Sequence, residues 1–343
     1  MSFEPQTIRL PKMLDNWPWP RRLNPGYDQL RQDSVNWVKQ FNPENLGIKK
    51  VFKGGNSEAL LAALVLPTAD AETLRVESDF LTSVIVTDDS GDTESADEAQ
   101  AIVDSINEGF ANPHVKVSRD RPVIAELTRQ FWLKAMKLST PSQRPRFLRL
   151  YGDFLNAVVI EAADRDDDKI RDFDEYLAVR RNTIAFKAAF WINECSLNLP
   201  NYVLNHPSLV SLMDYATDLV IITNDVVSYN KEQAQGSVHN MVAVVMNQYD
   251  LSIQDAMDWV GRLFEDIVQK FLKGLEEVPS WGTDIDNRVE QYIEGLGNWV
   301  RGHEVWSFES PRYFGNSGLE ARRTRTVQLL PPRSVMGRSD GTR

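Results

Sequence analysis

The chain of 343 residues is 42% hydrophobic and 25% charged, and its formal net charge is −11. This is the composition of a globular protein with enough apolar material for a core. The acidic balance argues against a nucleic-acid scaffold and provides no polybasic patch for a membrane surface. The sequence has no stretch of about 20 apolar residues, no apolar signal segment at its start and a single cysteine, Cys195. We therefore expect a cytoplasmic protein with no stable membrane anchor and no disulfide within the chain.

The N-terminal region, residues 1–27, is predicted to be extended. Its part "PKMLDNWPWPRRLNPGY" contains four prolines, and proline restricts both itself and the residue before it. From about residue 28, apolar residues recur at spacings of three and four, the period of amphipathic helices, and convincing strand alternation is absent. The linkers are short and none divides the chain. We predict an all-α fold, a single-domain antiparallel helical bundle over residues 28–318, followed by a mobile, polar tail over residues 319–343.

The first notable helical segment is "FLTSVIVTDDSGD". Leu81, Ile85, Asp88 and Asp92 stand at i, i+4, i+7 and i+11, so an apolar stripe continues into two carboxylates on one helix face. The alternative is a helix end that frays into an acidic loop. A second acidic cluster, "ADRDDDKIRDFDE" at residues 163–175, has no apolar stripe before it. We interpret that cluster as a capping loop, because aspartates favour helix N-termini.

A later segment, "LVIITNDVVSYNKEQ", repeats the first arrangement. Asn224, Ser228 and Glu232 stand at i, i+4 and i+8, one turn apart on one face of an apolar helix. A solvated helix face is the alternative. If the polar ends of the two segments face each other across a bundle, their oxygen atoms form a site for a hard cation, and Mg²⁺ fits best. Only four histidines and one cysteine are present, which argues against zinc.

With both segments placed, the chain resembles the class I terpenoid synthases, most closely the fungal sesquiterpene cyclases of the protoilludene synthase type. "DDSGD" matches the aspartate-rich motif of that family, and "NDVVSYNKE" matches its second metal motif. "SPRYFG" corresponds to its late Arg-Tyr pair, and "YLAVRR" to the arginine that senses diphosphate, Arg180, or Arg181 by a one-place slip. Ala185 stands where the family usually has glycine.

The resemblance implies a sesquiterpene cyclase that ionises farnesyl diphosphate with three Mg²⁺ ions and forms a cyclic hydrocarbon, protoilludene or a relative. The implied metal ligands are Asp88, Asp92, Asn224, Ser228 and Glu232. The implied diphosphate-binding residues are Arg180, Lys231, Arg312 and Tyr313. The implied catalytic residues are Asp88, Arg180, Arg312 and Tyr313. Candidate cavity aromatics are Phe80, Phe186 and Trp299, and residues 1–27 are expected to pack over the mouth of the site.

Other interpretations stay open at the level of sequence. The product could be a different cyclic or an acyclic sesquiterpene. A chain-elongating prenyl transferase would be expected to carry a second aspartate-rich motif in place of "NDVVSYNKE". A non-catalytic helical binding protein would have no need for two metal motifs and an Arg-Tyr pair. The protein is expected to be a monomer or a homodimer.

Overall fold

Helices make up nearly all of the regular structure in the computed structural model, which describes residues 6–41, 48, 57–91, 95–118 and 121–332, and only the backbone of 88–91. The helices are α1 (Tyr27–Val38), α2 (Glu58–Val65), α3 (Ala71–Gly91), α4 (Ala96–Ala111), α5 (Val123–Leu138), α6 (Arg144–Asp166), α7 (Phe173–Thr183), α8 (Phe186–Leu197), α9 (Asn201–Leu204), α10 (Pro207–Gln235), α11 (Met241–Tyr249), α12 (Ile253–Gly274), α13 (Thr283–Glu309), α14 (Pro311–Phe314) and α15 (Gly318–Thr324). Short 3₁₀ turns cover Leu275–Glu277 and Gly315–Ser317. The predicted all-α fold is confirmed.

The centre of the bundle is formed by α10 and α13, which pack on each other. The four consecutive residues 219–222 of α10 are all buried, which is the pattern of a helix surrounded by other helices. On its other sides α13 packs on α2, where a Cβ added at Gly302 would lie 2.8 Å from the Leu64 carbonyl oxygen. Only glycine permits so close an approach of the two backbones. The core therefore holds α10 rigidly, and α10 carries the second polar motif.

The acidic cluster at residues 163–175 is a capping loop, as interpreted from the sequence. Helix α6 ends at Asp166, and the Asp172 carboxylate accepts a hydrogen bond of 2.9 Å from the backbone N–H of Glu175 at the start of α7. Asp164 accepts hydrogen bonds from Arg171. These carboxylates stabilise the connection between the two helices.

The N-terminal segment before α1 is largely irregular and follows the surface of α13. The Trp17 indole donates a 2.9 Å hydrogen bond to the Gly297 carbonyl oxygen. Arg301 donates to the backbone carbonyls of Trp19 and Leu14 at 3.0 and 2.8 Å. This segment also contains a three-residue strand, β1 (Thr7–Arg9), which pairs antiparallel with β2 (Thr326–Gln328), with Ile8 opposite Val327.

The C-terminal segment differs from the sequence prediction. Residues 319–332 form most of α15 and all of β2 instead of a mobile tail, and residues 333–343 lie outside the described part of the chain. The reason is electrostatic. The buried Glu304 carboxylate lies 2.9 Å from Arg322, 3.5 Å from Arg301 and 3.7 Å from Arg325. Two basic residues that looked solvated in the sequence are therefore counterions for a carboxylate in the core.

No helix in the described ranges is long and apolar enough to cross a membrane.

Candidate active site

The predicted polar face of α10 is present in the structure. Asn224, Ser228 and Glu232 all lie within the helix, and the preceding Thr217 and Val220 are buried. Lys231 lies seven residues after Asn224, so it belongs to the same face, and its side chain is half-buried. An apolar helix stripe therefore ends in oxygen- and nitrogen-bearing side chains.

Asn224 joins predicted site residues from two distant parts of the sequence, one before it and one after it. Arg180 of α7 donates a 2.6 Å hydrogen bond to Asn224 Oδ1, and Asn224 Nδ2 donates a 2.8 Å hydrogen bond to the hydroxyl of Tyr313 on α14. The Arg312 guanidinium lies 5.9 Å from the centre of the Tyr313 ring. Arg181 points away and forms two hydrogen bonds of 2.7 Å with Asp218. Of the two candidate arginines, Arg180 is the one at the polar cluster.

Asp225, the residue after Asn224, anchors this cluster through hydrogen bonds to its carboxylate. Its buried carboxylate accepts hydrogen bonds from the Tyr176 hydroxyl, from Arg180 Nε and Nη2 at 3.1 and 3.0 Å, and from the Met241 backbone N–H at 2.9 Å. Burial is the strongest single influence and would lower the pKa of Arg180, but the surrounding negative groups, of which Asp225 acts most strongly, together outweigh it and raise the pKa well above its usual value. Arg180 therefore stays charged although it is largely buried.

Glu232 lies in an environment that suits a bound cation. Burial, together with the negative charge of Asp225, raises its pKa to about 7. Asn240 opposes this shift, because its Nδ2 donates a 2.9 Å hydrogen bond to Glu232 Oε2. A nearby divalent cation would relieve the repulsion between the two carboxylates.

The chemistry of the donor set agrees with Mg²⁺. An amide oxygen, a hydroxyl and a carboxylate are hard oxygen donors of the kind that this ion takes. Where side chains are described, no group of three or more His, Cys, Asp and Glu side chains that could hold a metal ion is found. The described part of the predicted set contributes one carboxylate and two neutral oxygens.

The aspartate-rich segment is described only in part. Helix α3 extends through Asp88 to Gly91, and the stripe residues Leu81 and Ile85 before it are buried, as predicted. The side chain of Asp88 and the whole of Asp92 lie outside the described residues.

Comparison with known proteins identifies the family. The model of terpene synthase family 2, C-terminal metal binding, matches residues 79–270. Sesquiterpene synthase 14 of Postia placenta is 39% identical over 332 residues, which are 96% of this chain and 94% of that protein. The chain belongs to the terpene synthase family.

Other relatives agree. Delta(6)-protoilludene synthase 18 of Postia placenta is 38% identical, covering 94% of this chain and 93% of that protein, and Delta(6)-protoilludene synthase of Armillaria gallica is 37% identical, covering 95% and 94%. The crystal structure of germacradien-4-ol synthase from Streptomyces citricolor is similar with a TM-score of 0.75 at 22% identity, covering 86% of this chain and 98% of that chain. The resemblance seen in the sequence, the enzyme class that it implies and the class I terpenoid synthase fold are confirmed.

Two of the three candidate aromatic residues of this terpene synthase lie together. The rings of Phe186 and Trp299 meet edge to face with centroids 5.0 Å apart, and Trp299 stacks on His303 at 6.4 Å. Phe80 belongs to a different aromatic cluster, between α3, α5 and α6, where it contacts Phe131 at 5.2 Å. The structure thus associates Phe186 and Trp299, but not Phe80, with one aromatic surface.

That surface contains polar atoms without partners. Trp299 Nε1 and His303 Nδ1 are buried and have no hydrogen-bond partner among the described residues. Burial, with the positive charge of Arg180, lowers the pKa of His303 to about 3, so the imidazole is neutral. The ring of His303 lies 5.8 Å from that of Trp306, which in turn lies 5.8 Å from the ring of Tyr313, so this surface lies near the polar cluster.

Ala185 lies at the junction of α7 and α8 in a left-handed conformation, with φ of 55°. A side chain is disfavoured there, and glycine is the residue that adopts this conformation without strain. The positive φ explains why the family usually has glycine at this position. In this terpene synthase, Ala185 adopts the same conformation at the cost of backbone strain.

Sequence reasoning missed two residues of the site, Tyr176 and Asn240. Tyr176 precedes Arg180 by one helical turn, so its position on the same face was a usable signal. Asn240 precedes α11, and its residue type is typical of a helix N-cap. Its contacts with α10 depend on the path of the connecting segment and have no local signature.

Proposed function

We propose that this terpene synthase is a sesquiterpene cyclase that ionises farnesyl diphosphate with Mg²⁺ and cyclises the resulting cation. The observation that carries the proposal is the cluster of Arg180, Asn224 and Tyr313, at hydrogen-bond distances of 2.6 and 2.8 Å, at the end of an apolar stripe. The names of the relatives, sesquiterpene synthase and Delta(6)-protoilludene synthase, support a C15 product of the protoilludene type.

The polar end of the site would bind the diphosphate. The proposed holders of three Mg²⁺ ions are Asp88 in the last turn of α3, Asp92 shortly after it in the sequence, and Asn224, Ser228 and Glu232 on α10. When bound, the ions would neutralise the charge of the departing diphosphate. Arg180, Lys231, Arg312 and Tyr313 would donate hydrogen bonds to its oxygens, and the guanidinium group presents several donors in one plane.

The apolar part of the site would control the hydrocarbon. Water quenches an allylic cation, so the cyclising chain has to be enclosed by apolar and aromatic side chains. The faces of Phe186 and Trp299 are the proposed stabilisers of the moving charge, each by up to about 2 kcal/mol in a desolvated setting.

We further propose that the N-terminal segment covers the mouth of this site. Arg21 forms an ion pair of 2.8 Å with Glu309, which lies three residues before Arg312. The segment is thereby fastened beside the Arg-Tyr pair.

The test of the reaction is the product profile from farnesyl diphosphate and Mg²⁺, determined by mass spectrometry. We expect a dominant cyclic hydrocarbon from the unaltered protein, and a shift toward early-quenched products in Trp299→Leu. Trp132→Leu is the matched control, because Trp132 is equally buried but stacks on Phe147 in the other aromatic cluster. Only acyclic farnesol or farnesene from the unaltered protein would reject cyclisation, and no diphosphate release would reject the proposed function.

The test of the metal assignment is the double variant Asn224→Ala, Ser228→Ala, which removes two neutral ligands without a change in net charge. We expect turnover at limiting Mg²⁺ to be lost. Asn230→Ala is the control on the same helix, because Asn230 bonds to Gln328 and Leu330 at the C-terminal segment. Near-normal turnover of the double variant would show that the assignment is wrong.

A further inference from the structure

Asn240 is a buried side chain that links the start of α11 to the polar face of α10. Its Oδ1 accepts a 2.9 Å hydrogen bond from the Val242 backbone N–H and so caps α11. Its Nδ2 lies 2.8 Å from the Asp225 carbonyl oxygen, 2.9 Å from Glu232 Oε2 and 3.4 Å from Ser228 Oγ. Because the cap fixes Oδ1, the amide cannot rotate, and the direction of Nδ2 is fixed as well.

Glu232 lies near the end of its helix, so its contact with Asn240 matters for the position of its carboxylate. Helix α10 ends at Gln235, and Gly236 follows in a left-handed conformation with φ of 82°. Glu232 is therefore in the last turn, where carbonyl groups lack intrahelical partners and helices fray. Residues 236–239 connect α10 to α11 and reverse the direction of the chain. Asn240, eight positions after Glu232, therefore contacts the Glu232 carboxylate.

A second bond reinforces the link. The backbone N–H of Met241, next to Asn240, donates a 2.9 Å hydrogen bond to Asp225 Oδ2. Asp225 in turn holds Arg180 and Tyr176. The start of α11 is thus fixed to the same carboxylate that orders the diphosphate side of the site.

We propose that Asn240 is a positioning residue for the second metal motif, which fixes Glu232 relative to Ser228 for cation binding. The proposal rests on the proposed function. Partners that orient metal ligands through hydrogen bonds are worth about 10–100-fold in metal affinity. Asn240 lies outside "NDVVSYNKE", and its amide oxygen already accepts a hydrogen bond from the Val242 backbone N–H.

The test uses Asn240→Ser in the full-length chain, since serine caps a helix as well as asparagine but is too short to reach both Asp225 and Glu232. The control is Ser252→Ala, which removes the cap of α12, where Ser252 Oγ accepts from the Asp255 N–H at 3.2 Å. Calorimetry with Mg²⁺ and inorganic pyrophosphate measures binding, and thermal unfolding measures stability. We expect Asn240→Ser to weaken Mg²⁺-dependent pyrophosphate binding by about 10–100-fold, and Ser252→Ala to leave it within about twofold at a similar or larger loss of thermal stability.

Several results would overturn the proposal. One is unchanged binding in Asn240→Ser, and another is a loss of binding no larger than in Ser252→Ala. Asn240→Thr is the second variant, and failure of both variants to fold would make the role structural only. If the unaltered protein itself binds no Mg²⁺ with pyrophosphate, the proposed function fails. If the unaltered protein and the Asn240 variants bind equally well, only the positioning role is rejected.

Discussion

Two arginine–aspartate pairs join α7 to α10 side by side, and they offer a matched test of the electrostatics at the site. Arg180 pairs with Asp225 at 3.0 Å, and Arg181 pairs with Asp218 at 2.7 Å. The side chains of the first pair are 12% and 1% exposed, whereas Arg181 of the second is 38% exposed. The same helices thus carry one buried pair and one pair whose cation is solvated.

Asp225→Asn removes a charge from the buried pair and leaves Arg180 without its counterion. Loss of one partner from a buried ion pair costs about 3–5 kcal/mol, because the remaining charge stays desolvated. The corresponding change in the second pair, Asp218→Asn, is expected to cost about 1 kcal/mol or less, because water can solvate Arg181. For a chain of this size, about 2 °C in Tm corresponds to 1 kcal/mol. We therefore expect Tm to fall by about 6–10 °C in Asp225→Asn and by about 2 °C in Asp218→Asn.

The assay is thermal unfolding followed by circular dichroism, with guanidinium titrations to confirm that the denaturant slope is unchanged. Asp225→Asn should also lose pyrophosphate binding, since Arg180 and the start of α11 both depend on that carboxylate. Equal Tm shifts in the two variants, or a larger shift in Asp218→Asn, would refute the reasoning from burial.

Three further predictions concern buried groups. Because the pKa of His303 is lowered in the fold, its contribution to stability is complete above about pH 6.5 and is lost as the pH falls toward 3. Between pH 7.5 and 5.5, the free energy of unfolding, measured in urea, should therefore fall by about 1.4 kcal/mol more in the unaltered protein than in His303→Gln. Burial raises the pKa of Glu77, whose oxygens have no partner among the described residues. The group therefore ionises in the unfolded chain while it stays protonated in the fold, and stability falls as the pH rises above about 4.5. Glu77→Met should therefore raise Tm at pH 7.5 and by less at pH 4.5, and a lower Tm at both pH values would contradict this. Ala185→Gly should stabilise the protein by about 0.5–1 kcal/mol in the same denaturation assay, because it relieves the positive φ, while Ala188→Gly within α8 should destabilise it.

Local periodicity was sufficient to place the second motif. Asn224, Ser228 and Glu232 share a helix face because of their spacing alone, and the same argument placed Leu81 and Ile85 on the buried stripe of α3. The meeting of Asn224 with residues 44 and 89 positions away could not be obtained in this way. It was available only through the resemblance to a family, because tertiary contacts have no period in the sequence.

The C-terminal segment shows where composition misleads. Its arginines looked like a solvated basic tail, but Arg322 and Arg325 surround Glu304, a carboxylate 18 and 21 positions earlier. Whether a charged residue is solvated or paired in the core depends on a partner that a local window does not contain. The strand pairing of residues 7–9 with 326–328 was hidden for the same reason, since the two strands are short and far apart in sequence.

The adjacent residues Asn224 and Asp225 show how one helix can separate anchoring from binding. Neighbouring positions on a helix point about 100° apart, so Asp225 faces Tyr176 and the start of α11 while Asn224 faces Tyr313. Arg180 spans both, with Nη2 within 3.0 Å of the carboxylate and 2.6 Å of the amide oxygen. With the charged anchor outside the proposed ligand set, Asn224 and Ser228 can serve as neutral ligands, which limits the negative charge that an anionic diphosphate would meet. A change at Asp225 should therefore disturb stability and ligand geometry together, whereas a change at Asn224 should disturb the ligand geometry with a smaller effect on stability.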